Sequence, residues 1–113
     1  MTNLFSPYFR DFDTKRYYWK DETLWLASAD LPITNHDPRS LGVSIFMVEM
    51  LKTYEPTRTR DAELQYPVIV SSTGEVMDGY HRVAKSILQG ERTIPVRQFV
   101  IDPEPDLATD RPY

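Results

Sequence analysis

A chain of 113 residues has the size of one domain, so a single core must carry any site it holds. With 41% hydrophobic residues, 27% charged residues and a net charge of -4, it lacks an apolar run long enough to cross a bilayer and is poorly suited to coating a polyanion. The lack of cysteine excludes disulfides, thiolate catalysis and cysteine-based zinc sites, and leaves His36 and His81 as the two imidazoles.

The start, Met1 to Pro7, lacks the basic head and apolar stretch of a secretory signal, so a cytoplasmic location is expected. Residues 1–23 mix aromatics (Phe5, Tyr8, Phe9, Phe12, Tyr17, Tyr18, Trp19) with charge and read as an irregular arm. Its rings either cover an open face of a small core or dock a partner protein. Thr23 to Ser28 reads as a strand, with Tyr17-Tyr18-Trp19 as its hairpin partner. The stretch from Asp30 to Pro38 reads as a loop ahead of a helix. That helix, Ser40 to Tyr54, is signalled by Leu41, Ile45, Val48 and Leu51 at spacings of three and four, with Asp37 or Ser40 as N-cap. Glu55-Pro56 signals its stop, and Thr57 to Asp61 reads as a polar connection.

From Pro67 to Asp78 the pattern is a hairpin, with Val68-Ile69-Val70 and Val76-Met77 flanking turn residues. The period then changes to 3.6: Tyr80, Val83, Ala84, Ile87 and Leu88 form one face of a helix that stops at Gly90. Thr93 to Ile101 is the closing strand. Residues 102–113, with three prolines and four acids, read as a frayed acidic tail. The expected fold is α+β, with the domain proper at residues 24–101.

Chemistry concentrates at Asp78-Gly79-Tyr80-His81-Arg82. A strand that runs through Asp-Gly into a helix leaves the first backbone N–H groups of that helix unpaired, and anions bind at such ends. Cations oppose the positive end of the helix dipole, so His81 and Arg82 in the first turn need a reason, which a bound anion supplies. A plainer account uses Asp78 as a cap, Gly79 for a positive φ and Arg82 for an ion pair with Glu75 or Asp78.

The run Tyr66 to Ser71, then Gly74-Glu75-Val76-Met77-Asp78-Gly79-Tyr80-His81-Arg82-Val83-Ala84-Lys85, then Gly90 and Thr93-Ile94-Pro95-Val96-Arg97, resembles the core of the ParB/sulfiredoxin-like superfamily. The resemblance implies a small domain with a mixed sheet and helices packed on it. It also implies a nucleotide site in which Gly79, His81 and Arg82 contact phosphates, with Tyr80 standing where sulfiredoxins carry their catalytic cysteine. Sulfinic acid repair by that route is excluded without a thiol, and 113 residues leave no room for the helix-turn-helix domain of centromere-binding ParB proteins. Lys85, four residues after His81, either widens the positive patch or is a solvated lysine. Arg39 and Ser40 fall near the Lys and hydroxyl residues that sulfiredoxins place on the nucleotide.

The chain looks most like the branch with an Asp-Gly-x-x-Arg turn, which includes free-amino-acid kinases. That implies ATP or CTP with Mg2+ as cofactor, Asp78 as metal ligand or as base for a hydroxyl proton, and His81 as the second catalytic residue. Glu49 is a speculative further acid or a solvated helix residue, and His36 reads as a surface residue. The expected function is nucleotide phosphate binding, with phosphotransferase or nucleotide-hydrolase activity as its extension. Two alternatives stand beside it. One is a phage-type protein-interaction adaptor working through the aromatic arm; the other is a ParB-like nuclease or DNA-binding protein, disfavoured by the acidic balance.

Overall fold

The computed structural model describes residues 8–112; Met1 to Pro7, including Phe5, and Tyr113 lie outside them. In chain order the elements are β1 (Tyr8–Phe12), β2 (Lys15–Trp19), α1 (Asp21–Ser28), β3 (Thr34–His36), a 3-10 turn (Pro38–Leu41), α2 (Ile45–Tyr54) and α3 (Pro56–Asp61). Then come β4 (Val68–Val70), β5 (Val76–Asp78), α4 (Tyr80–Leu88), β6 (Ile94–Gln98) and β7 (Leu107–Asp110). The fold is α+β. A four-stranded sheet has the order β3-β6-β4-β5 and is mixed, since β4 and β6 run parallel while the other pairs are antiparallel.

Successive side chains on a strand point to opposite faces, and here both faces are buried. Val68, Val70 and Val76 meet Val48 and Leu51 of α2 and Val83 and Ala84 of α4 on one side. Ile69 and Met77 meet Tyr8, Trp19, Leu24 and Phe99 on the other. The aromatic arm is therefore part of the core, giving Tyr8 and Trp19 to its second face. It is also regular: β1 and β2 form a hairpin with Tyr8 opposite Trp19 and Phe12 opposite Lys15, and Asp13 takes the positive φ of 57° at the turn. Phe9 and Phe12 remain exposed and are apolar surface that the arm presents to solvent.

The expected strand from Thr23 to Ser28 is helix α1, and Tyr17 to Trp19 pair with β1 and β7 instead. The cause lies far along the chain. Asp106 accepts from the Lys20 N–H at 2.8 Å and from Thr23 Oγ1 at 2.8 Å, and so caps a helix from 86 residues downstream. Asp21 and Glu22 in the first turn add a favourable interaction with the helix dipole.

The tail from Asp102 to Pro112 is likewise ordered as β7, which pairs with β2 from Leu107 opposite Tyr18 to Asp110 opposite Lys15. Backbone ladder bonds, an exposed Lys15–Asp110 pair and the Trp19 Nε1–H donated to the Pro103 carbonyl hold it. Composition misses such a strand because little apolar burial is involved.

The central helices also differ in detail. Asp37 caps the 3-10 turn by accepting from the Arg39 N–H, and Ser44 caps α2 by accepting from the Met47 N–H. Ile45 and Phe46 consequently face outward while Val48 and Leu51 are buried. The stretch after Glu55 is helix α3, with Pro56 at its first position, where a missing N–H is harmless. Thr34 to His36 is strand β3, and β6 is an interior strand between β3 and β4. On α4, Leu88 is exposed, while His81 and Ser86 are buried with Val83 and Ala84. Its end is as expected: Gly90 has φ 70°, and the Glu91 N–H reaches the Ser86 carbonyl at 2.9 Å.

A polar cluster joins the arm to the β4–β5 turn. Tyr8 donates its hydroxyl to Glu75, and Arg10 lies over the Tyr8 and Trp19 rings while pairing with Asp102 at 2.9 Å. Burial, and next the bond to Glu75, pushes the Tyr8 hydroxyl up to about 12, which keeps it a donor. Burial opposes ionisation of Asp102, but the Ser72 N–H and Arg10 outweigh it and hold this carboxyl below the usual range. Stability from a depressed carboxyl is present above its ordinary titration and is lost as pH falls through the depressed value. Asp102→Ala should therefore cost about 1.5–3 kcal/mol at neutral pH. In urea titrations the variant should lose less stability on acidification than the parent.

Candidate functional site

Strand β5 stops where Gly79 takes φ 107° and turns the chain directly into α4. Only glycine enters this conformation readily. Gly79 serves as N-cap and, having no side chain, makes no cap bond of its own to the first turn of the helix. This helix start opens on a cleft of about 940 Å3 whose walls come from α1, α3, the Glu63–Pro67 turn and β6. Trp25 of α1 and Tyr66 stand at this cleft with more than half of each residue exposed.

Each cation of the turn already has a partner. The Arg82 guanidinium donates to the Asp78 carboxylate at 2.9 Å and to the Pro67 carbonyl at 3.1 Å. His81 is buried, its Nε2 lying 2.6 Å from Glu55 Oε2. These basic side chains at a helix start do not by themselves call for an anion, because Asp78 pairs with Arg82 and Glu55 with His81 within the fold. Both carboxylates also sit at helix starts, Asp78 before α4 and Glu55 before α3, where negative charge is favourable.

Asp78 accepts a second bond on the same oxygen, from Trp25 Nε1 at 3.0 Å. Lys85 donates to the Ala62 carbonyl at 2.7 Å, which anchors the cleft wall next to α3. Tyr80 lines the cleft, and burial, with Glu75 adding to it, raises its hydroxyl. The structure thus gathers Asp78, Gly79, Tyr80, His81 and Arg82 at one cleft, with Lys85 behind its wall.

Arg39 and Ser40 are not brought there. Arg39 pairs with Asp37 and reaches the Glu91 carbonyl, and the Ser40 hydroxyl donates to the Asp37 carbonyl, within and beside the 3-10 turn. Glu49 is exposed on α2, and His36 Nε2 meets the Thr34 hydroxyl. Among the described residues no group of three His, Cys, Asp or Glu is placed to hold a metal. A Mg2+ ion at Asp78 would therefore depend on phosphate oxygens and water for most of its coordination, which is the ordinary habit of Mg2+ at nucleotides.

Several residues of the site carry no local signal in the sequence. Glu55 reads as a helix stop, and Trp25 reads as a strand residue. Arg58 falls in what reads as a connection, and Arg97 reads as an ordinary strand cation, yet both line the cleft. Arg97 crosses from β6 to donate to the Ser28 and Ala29 carbonyls at the end of α1, at 3.2 and 2.6 Å. The lining includes Asp21, Asp61, Glu63 and Asp78 against Arg58, Arg82 and Arg97, so the cleft is mixed in charge.

A Cβ at residue 79 would lie 3.1 Å from Arg82 Nη2 and 3.2 Å from Val68 Cγ2, in a backbone conformation that side chains rarely adopt. Arg82 can swing away, whereas Val68 is packed in the core. Gly79→Ala should cost about 1–3 kcal/mol in urea denaturation. It should also displace Arg82 from Asp78, visible as a change in Trp25 fluorescence.

No family model, curated protein or solved structure matches this chain, and the site is read from its own geometry.

Proposed function

We propose that the chain is a nucleotide-binding domain of the ParB/sulfiredoxin-like type, taking ATP or CTP with Mg2+ in the cleft at Gly79 and working in the cytoplasm. The observation that carries the reading is the convergence on one cleft of a helix start with glycine as its N-cap, the Arg82 side chain and two half-exposed aromatic rings, Trp25 and Tyr66. A nucleotide has the matching halves: phosphates suited to a helix start and to arginine, and a base suited to stacking on an aromatic face. The order hairpin, glycine turn, helix, interior strand agrees with the resemblance stated from the sequence.

Arg82 is the principal phosphate ligand in this reading, and Arg58, exposed on α3, is a second. Asp78 is the residue that would hold Mg2+, which supplies charge neutralisation on the phosphates when bound. The mixed charge of the walls favours a nucleotide accompanied by its cation over a nucleic acid, whose binding needs a run of basic contacts. Phosphoryl transfer and nucleotide hydrolysis are the reactions open to such a site.

Titration calorimetry with ATP, CTP and GTP in the presence of Mg2+ checks the assignment. Binding of at least one below millimolar Kd is expected, with quenching of Trp25. Arg82→Ala should weaken it about tenfold or more, the equivalent of roughly 1.4 kcal/mol. No heat with any of the three at millimolar concentration would remove the proposal.

A further inference from the structure

Glu55 closes α2 and opens α3, its side chain only 2% exposed, and Pro56 fixes the backbone that follows it. Packing of α2 and α3 on α4 sets its carboxylate against His81 Nε2. Burying two ionisable groups together is a weak source of stability, because an apolar pair of the same volume often does as well. This pair is not sealed in the core: His81 lines the cleft beside Gly79 and Arg82. The family resemblance puts this histidine on a phosphate, yet its Nε2 is turned to Glu55.

Resting on the nucleotide-binding reading, we infer that Glu55 and His81 form a general-base pair that activates water against the terminal phosphate of the bound nucleotide. When Nε2–H of the neutral ring donates to the Glu55 carboxylate, the lone pair lies on Nδ1, and Glu55 fixes both tautomer and ring orientation. The water oxygen bonds to the terminal phosphorus as its proton passes to Nδ1. The bond from that phosphorus to the bridging oxygen breaks, and the electron pair leaves on the nucleoside diphosphate. Inorganic phosphate departs, and the imidazolium, held by Glu55, returns its proton to solvent. Water and nucleoside triphosphate become nucleoside diphosphate, phosphate and one proton. His81 is the catalytic residue of this step and Glu55 its positioning residue.

The test combines calorimetry with a phosphate-release assay on ATP and CTP with Mg2+, using the whole chain. Wild type should bind and release phosphate. Glu55→Gln, nearly the same in shape, should lower kcat about tenfold or more with nucleotide Kd unchanged. His81→Ala should lower it by about 10²–10⁴ and recover turnover when imidazole is added. Should His81→Ala fail to fold, Glu55→Gln decides through its split between kcat and Kd. Nucleotide binding without phosphate release in wild type, or release at the wild-type rate in both variants, overturns the pair and leaves nucleotide binding standing. Absence of binding in wild type removes both.

Discussion

Two three-residue strands, β4 and β5, bury side chains on both faces, and α2 and α4 cover one face while β1, β2, α1 and Phe99 cover the other. Val68, Val70 and Val76 require helices α2 and α4. Ile69 and Met77 require the arm, α1 and Phe99. A domain this small has little apolar surface to spare, which is why aromatic residues outside the central sheet, Tyr8 and Trp19, complete the second half-core. The cleft forms where this double-sided packing ends, at the last residue of β5.

The second face couples distant parts of the chain to the site. Asp106 in the tail caps α1; α1 carries Trp25; Trp25 donates to Asp78; and Asp78 holds Arg82 across the start of α4. Each link is a hydrogen bond to a carboxylate, the stronger class of such bonds. A segment that would look dispensable by composition thus sets the position of an aromatic wall of the cleft.

Electrostatics inside the site follow from pairing more than from net charge. Arg82 pairs with Asp78 and His81 with Glu55, and the two pairs differ in character. Arg82 with Asp78 sits partly exposed at the cleft. His81 with Glu55 is buried, and the carboxylate holds one ring nitrogen in a fixed direction.

Read alone, the sequence determined the segment from Pro67 to Gln98. Its strand and helix periods, the glycine turn at Gly79 and the stop at Gly90 are local properties, set by side-chain alternation and by backbone conformations open to glycine. The turn Asp78 to Arg82 was legible as a strand passing through glycine into a helix for the same reason. Tertiary structure decided the rest. Helix α1 exists where the residues read as a strand because its cap arrives from Asp106, and β7 exists because β2 offers it a free edge. Ile45 faces outward because Ser44, not an earlier residue, starts α2. Glu55 meets His81 only when α2, α3 and α4 pack, and Trp25, Arg58 and Arg97 become neighbours of the turn only when three separate elements close around it. Short-range patterns record which residues turn and which are buried; which charges meet depends on contacts across the fold, and those leave no periodic trace in the chain.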